Sequence, residues 1–166
     1  MLTEAFTLRS AESRDFEELT RLWAILDALH LQASPNIYRS PEGLARSTQF
    51  VEGMLASPDR ALFVADVDVK LVGLCALHLV VQGEIPVRAK RITVEIASIV
   101  VEPEARRSGV ARALVAASED WAKAQGAVGL ELDVHDFNRS AIAFYDDYGF
   151  SVSSHRMVRE WSIDSD

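Results

Sequence analysis

The chain predicts a single α/β layer domain, and three observations carry that expectation. Apolar, β-branched runs alternate with amphipathic stretches in the order strand, two helices, three strands, helix, strand, helix, strand or two. At 166 residues the chain is the size of one domain, enough to bury roughly two thirds of the surface its unfolded form exposes. Apolar residues make up 49% and charged residues 25%, which suits a packed core, and no repeat, low-complexity tract or linker interrupts it.

Residues 5–10 read as the first strand. Ser13 is then placed to cap a helix with Asp15 and Glu17 in its first turn, along which Phe16, Leu19, Leu22, Trp23, Leu26 and Leu29 recur as a core stripe. "HLQASPNIYRSPEG" is polar with two prolines, so residues 30–40 read as a loop, and Ser40 with Pro41 supplies the cap and first position of a second helix to about Leu55. "ALFVAD" and "KLVGLCALHLVV" form a hairpin about "DVDVK", "QGEIPVRAKR" is a longer turn, and "ITVEIASIVV" is a strand with Glu95 as its single charge. Val110, Ala113, Leu114, Ala117 and Trp121 make one face of the next helix, which ends at Gly126. The strand "VGLELDV" follows; Asn138 opens a short helix closed by Gly149, and "SVSSHRMVREWSI" supplies up to two more strands.

The net charge of -8 disfavours general attraction to nucleic acid or an acidic membrane and favours a cationic small partner. Cys75 is the only cysteine, so no internal disulfide forms, and no Cys/His set has zinc spacing, so no metal is expected. The first residues hold acids and lack the apolar core of a signal peptide, and no apolar run reaches membrane-spanning length, which together read as a cytoplasmic protein.

The stretch "VEPEARRSGVARALV" raises the question of chemistry. If Ser108 or Gly109 starts the helix, its first amides have no carbonyl partner within it and sit at the positive end of the macrodipole. Gly109 lacks a Cβ, Ala111 keeps the next turn small, and Arg106, Arg107 and Arg112 concentrate cation in an acidic chain, which together make a seat for phosphate. The alternative on residues alone is a solvated, arginine-rich turn. A Walker loop needs Gly-Lys-Ser/Thr and a dinucleotide fingerprint needs three glycines; neither is present.

These residues resemble the acyl-coenzyme A signature of the GNAT superfamily of N-acetyltransferases, Val-x-Pro-x-x-[Arg/Gln]-x-x-Gly-x-[Gly/Ala], through Val101, Pro103, Arg106, Gly109 and Ala111. "NRSAIAFYDDYGF" resembles the downstream motif of the same family through Asn138, Ala141, Phe144, Tyr145, Gly149 and Phe150. Ser108 is the one departure in the first motif, and serine caps helices well. The resemblance implies an α/β, single-domain GNAT-like fold, with a mixed, mostly antiparallel six- or seven-stranded sheet flanked by about four helices. It also implies one acetyltransferase domain over 1–166, with 1–60 on the acceptor side and 92–150 forming the acyl-coenzyme A core.

By the resemblance, the amides of Arg107, Ser108, Gly109, Val110, Ala111 and Arg112, behind Arg106, hold the pyrophosphate of acetyl-coenzyme A. The main chain of Ile99, Val100 and Val101 pairs with the pantetheine arm like an added strand and offers an amide to the carbonyl oxygen, and Asn138 bonds to the same arm. On residues alone Asn138 is equally a plain helix cap. The implied reaction is acetyl transfer to a primary amine of a small molecule or peptide, by direct attack in a ternary complex. An amine of pKa near 10.4 is neutral in only about one molecule in a few thousand at pH 7, so a positioned base helps. Glu95 is the candidate base; its competing reading is a side chain that points to solvent or to Arg88 or Arg91 as an ion pair, and Asp133 and His135 stand in reserve, ahead of His78 and His30. A carboxylate is a weak base and needs burial or a relaying water. Tyr145 matches the tyrosine that meets the departing thiol; hydrogen bonding to sulfur matters more there than full proton transfer, because a phenol is ordinarily the weaker acid. The other reading is a non-catalytic acyl-coenzyme A sensor or partner-binding module on the same fold. The acceptor is expected between the first two helices and "QGEIPVRAKR", under a lid made by "HLQASPNIYRS", and family habit suggests a homodimer.

Overall fold

In the computed structural model, which describes residues 5–159 and 161, the apolar runs become β1 (Thr7–Ser10), β2 (Arg60–Val67), β3 (Lys70–Gln82), β4 (Arg91–Val101) and β5 (Leu130–Glu131). They lie in that order in one sheet, antiparallel from β1 to β4 and parallel between β4 and β5. The mixed, mostly antiparallel α/β architecture is as expected, with five strands among the described residues. "VGLELDV" pairs only at Leu130 and Glu131, opposite Val94 and Glu95. Residues 151–159 and 161 form no strand, and the remainder of the last expected strand lies outside the described residues. The chain divides into two compact units, Met1–Asp133 and Val134–Asp166.

In the first unit, α1 (Phe16–Ala33) and α2 (Thr48–Ala56) cover one face of the sheet. Leu19, Leu22 and Trp23 of α1 and Val51 and Met54 of α2 pack with Leu62, Val64, Leu74, Ala76 and Val100 into the main core. Each leucine, valine or methionine of this set contributes about 1.5–3 kcal/mol on burial, so this layer anchors α1 to the sheet. Leu29, the last of the expected stripe, is exposed.

Helix starts differ from the sequence expectation in two places. Ser13 does not cap α1; a short 3-10 turn, Ser13–Asp15, precedes it, and the Glu12 amide donates to Asp15 Oδ2 at 2.8 Å. Arg9 of β1 donates to both Asp15 oxygens, at 2.7 and 2.9 Å, and to Asp66 of β2 at 2.8 Å, so an ion cluster ties the first strand to the first turn. Ser40 and Pro41 do not begin α2. Gly43 is left-handed at φ 103°, which interrupts any helix there, and Ser47 caps instead, its Oγ accepting from the Phe50 amide at 3.1 Å. At its other end α1 overruns the expected loop and stops at Ala33, because Ser34 precedes Pro35 and is biased away from helical backbone.

On the opposite face lies α3 (Val110–Ala124). Its buried residues are Val110, Leu114, Val115, Ser118 and Ala122, a face rotated slightly from the expected one. Ser118 belongs to it because its hydroxyl is satisfied: it donates to the Leu114 carbonyl at 2.8 Å and lies 3.4 Å from Cys75 Sγ. Burial pushes the Cys75 thiol up to about 12. Gly126 is left-handed at φ 72° and ends the helix as expected.

The second unit holds α4 (Arg139–Tyr148). Asn138 caps it, its Oδ1 accepting from the Ala141 amide at 3.3 Å, and Gly149 closes it at φ 111°. Phe144, Tyr145, Tyr148 and Phe150 form one aromatic cluster, with ring centroids 5.3–6.1 Å apart.

Candidate functional site

The segment from Val101 to Val110 converts the end of β4 into the start of α3 through a fixed series of turns. Pro103–Ala105 is a 3-10 turn, Arg106 Nε donates to the Val101 carbonyl at 3.3 Å, and Ser108 Oγ donates to the Ala105 carbonyl at 2.5 Å. Ser108 therefore holds the turn and does not cap the helix; the N-cap is Gly109, and no side chain caps α3. Arg107 and Gly109 are both left-handed, at φ 62° and 92°, with Ser108 between them. Such alternation of hand turns successive N–H groups to one side, the arrangement that cradles anions. The first hydrogen bond within α3 runs from the Ala113 amide to the Gly109 carbonyl, so the Val110 and Ala111 amides precede it. A Cβ built on Gly109 would meet nothing within 4 Å, so the space beside this backbone is open.

What places α3 is Gly73 of β3. A Cβ there would stand 2.8 Å from Val110 Cγ1, 3.1 Å from Leu114 Cδ1 and 3.2 Å from the Val100 carbonyl oxygen. Nearby Glu102 is buried, but Arg21 and Lys70 each donate to its Oε1 at 2.8 Å, which offsets the negative charge beside the turn.

Along β4 the expected site residues Ile99, Val100 and Val101 pair with Cys75, Leu74 and Gly73 of β3. The parallel partner β5 reaches only Val94 and Glu95. Among the described residues, therefore, β4 is paired within the sheet on one side alone from Ile96 onward, as a strand awaiting an extended partner would be.

Ala97 is exposed and is a bulge: Ala76 pairs with Ser98 and Leu77 with Ile96, so Ala97 has no partner across the ladder. Glu95 and Ser98, three residues apart, would face opposite sides of a regular strand. With the bulge they share the α1 face, where Trp23 Nε1 donates to Ser98 Oγ at 3.0 Å. On that face His78 Nε2 lies 3.4 Å from Glu95 Oε2, and Thr93 Oγ1 donates to Glu131 Oε1 at 2.8 Å. Among the described residues the basic side chain within 4 Å of the Glu95 carboxylate is thus His78 of the neighbouring strand, and neither Arg88 nor Arg91. His78 stood low among the sequence candidates; the signal that would have found it is the antiparallel register, which sets it opposite Glu95. Glu95 is 37% exposed, so water reaches it.

Asp133 ends the first unit, and His135, in the second, stacks on Phe137 at 5.2 Å. Asn138 and Tyr145 both lie on the second unit. Asn138 Oδ1 is engaged at the helix cap, also accepting from Ser140 Oγ at 3.2 Å, whereas its Nδ2 has no acceptor among the described residues. Tyr145 is buried within the aromatic cluster.

A cavity of about 700 Å³ opens between α1, residues 38–47 and α2, where the acceptor was expected. The turn of residues 83–90 contributes no residue to its lining. The cavity joins the sheet through Trp23, whose ring carries the Arg46 guanidinium 4.9 Å from its centroid. Among the described residues no group of His, Cys, Asp or Glu could hold a metal ion, and no helix is long and apolar enough to cross a membrane.

A family model described as the acetyltransferase (GNAT) family matches residues 22–150. No curated protein matches the chain. Among solved structures, a tetramutant of the BH1408 protein from Bacillus halodurans superposes with a TM-score of 0.88 at 26% identity, over 93% of this chain and 99% of that one. The aminoglycoside 6'-N-acetyltransferase AAC(6')-Ih from Acinetobacter baumannii gives 0.73 at 17% identity, over 96% and 99%. The aminoglycoside N-acetyltransferase AAC(6')-Iy, solved with CoA, gives 0.70 at 18% identity, over 95% and 100%. At these last two identities the likeness is one of fold.

Proposed function

Because this chain belongs to the GNAT family of acetyltransferases, we propose that it moves the acetyl group of acetyl-coenzyme A to a primary amine of a small molecule or peptide, by direct attack in a ternary complex. The observation that carries this reading is the corner between β4 and α3. Uncapped amides, two left-handed residues and open space beside Gly109 suit a diphosphate better than any role in packing. The coenzyme supplies the acetyl thioester when bound; the rest of the chemistry falls to the chain.

In this reading the backbone from Arg107 to Arg112 binds the pyrophosphate, with Arg106, Arg107 and Arg112 adding cationic charge. The half-paired main chain of Ile99, Val100 and Val101 receives the pantetheine arm and donates an amide to the acetyl oxygen. Glu95, with water access, takes the amine proton through a bridging water, and His78 steadies its carboxylate. Motif position supports Asn138 as a further donor to the arm and Tyr145 as the donor to the departing sulfur. The two aminoglycoside acetyltransferases of like fold act on amines of small molecules, in keeping with this acceptor class.

The alternative is a protein that binds acyl-coenzyme A without turnover. Thermal denaturation with acetyl-coenzyme A, for the parent and Gly109→Glu, tests the binding corner: the parent gains stability and the variant does not. Thiol release over a panel of amines then tests transfer, with Tyr145→Phe reducing it. Stabilisation without thiol release for any amine identifies a sensor, and absence of stabilisation in the parent refutes both readings.

A further inference from the structure

The cavity between α1 and α2 carries a local charge opposite in sign to that of the whole chain. Its one acidic lining residue, Asp27, has both carboxylate oxygens occupied by Arg46, at 2.7 and 3.1 Å. Arg46 in turn lies on the Trp23 ring, so this pair is locked into the cavity wall. Arg39 also lines the cavity and makes no ion pair among the described residues. Two arginines and one committed carboxylate leave one positive charge to face a ligand. The -8 of the full chain is spread over a surface wider than the roughly 8–10 Å over which salt screens exposed charges, so the local sign decides what binds.

A polyamine or other polycation entering here would find its only counter-charge already engaged by Arg46 and would face the Arg39 guanidinium, an arrangement that disfavours binding. A carboxylate or phosphate finds in Arg39 a planar fork matched to its own geometry. Leu44, largely exposed, and Phe50, about half exposed, line the same cavity and offer an apolar wall. The cavity lies on the catalytic side of the sheet, since Trp23 links Arg46 to Ser98, and Ser98 shares its face with Glu95.

We infer that the acceptor is an amine carrying an anionic group, carboxylate or phosphate, which is held by Arg39 while its apolar part rests against Leu44 and Phe50. This rests on the transfer reading above and narrows its substrate class, in the direction opposite to the one overall composition suggests.

The test measures thiol release from acetyl-coenzyme A for two matched pairs, phenylalanine with phenethylamine and O-phosphoethanolamine with ethanolamine, together with spermidine. Each pair is compared between the parent, Arg39→Glu and Arg39→Lys, so that differences in amine basicity cancel. Arg39 is exposed, and unchanged thermal stability of the variants confirms that they fold. The expected result is that Arg39→Glu raises KM for the anionic member of at least one pair, relative to its neutral partner, by about tenfold, the size of a charge-assisted contact, while Arg39→Lys restores most of it. Whichever pair responds identifies the anion. An unchanged ratio in both pairs, or turnover of spermidine alone, overturns the inference and leaves the transfer reading standing. No thiol release with any of the five amines removes both.

Discussion

Gly73 and Val110 are in such close contact that a single methyl group on the glycine would stand 2.8 Å from Val110 Cγ1. Strand β3 thereby sets where α3 begins, and with it the position of the uncapped amides at the proposed diphosphate seat. Gly73→Ala should cost about 1–3 kcal/mol by overpacking and should weaken acetyl-coenzyme A binding as the helix start shifts. Urea unfolding and a coenzyme titration check it. Normal affinity in a destabilised variant would show that the corner tolerates displacement of its helix.

The proposed proton path gives a second prediction. Glu95→Gln should lower kcat by about a hundredfold, the typical contribution of a positioned base, while the coenzyme Kd stays as in the parent. His78→Gln, which removes the partner 3.4 Å from the carboxylate, should cause a smaller fall in the same quantity. Steady-state kinetics with one amine decide between this pair and the reserve bases.

Acid stability should depend on Asp15. Hydrogen bonds from Arg9, foremost, and from the Glu12 amide hold its carboxyl below the ordinary 3.8. A carboxyl depressed in the folded state adds stability that is fully present above its unfolded value, and this is lost as pH falls through about 4 towards the lower folded value. Asp15→Asn should destabilise the protein by about 2 kcal/mol at pH 7, between the exposed and buried ion-pair cases, and should flatten the pH dependence below 5. Urea midpoints at pH 7 and pH 3 measure both effects.

The β2–β3 hairpin turns through Asp68 and Val69, at φ 58° and 114°, and Val69 is 95% exposed. A β-branched residue is strained in that conformation and buries nothing there, whereas Asp-Gly suits a turn with two left-handed residues. Val69→Gly should stabilise the protein by about 0.5–1 kcal/mol, after the greater unfolded-state freedom of glycine is offset. A higher urea midpoint at unchanged slope is the expected readout.

Local signals in the sequence located much of this molecule. Gly126 and Gly149 ended their helices as read, and Asn138 capped α4, because each acts through backbone geometry within a few residues. Element order was legible for the same reason: hydrophobic period is a local property. The start of α2 was misread because Ser40-Pro41 and Ser47 are both good starts, and only the left-handed Gly43 between them decides. The place of His78 beside Glu95 was not legible because pairing across strands depends on a register that includes an unmatched residue. The shortness of β5 and the charge inside the cavity are tertiary facts that no window of sequence contains.

That unmatched residue, Ala97, has a wider consequence. With it, β4 changes parity partway along its length, so side chains an odd number of positions apart can serve the same side. Shortening the strand by this one alanine would invert one half against the other and turn either Ser98 or Glu95 away from Trp23's side of the sheet. Chain length at that point fixes which side chains share the α1 face, and a library that varies every side chain of β4 but preserves its residue count keeps positions 95 and 98 on that one side.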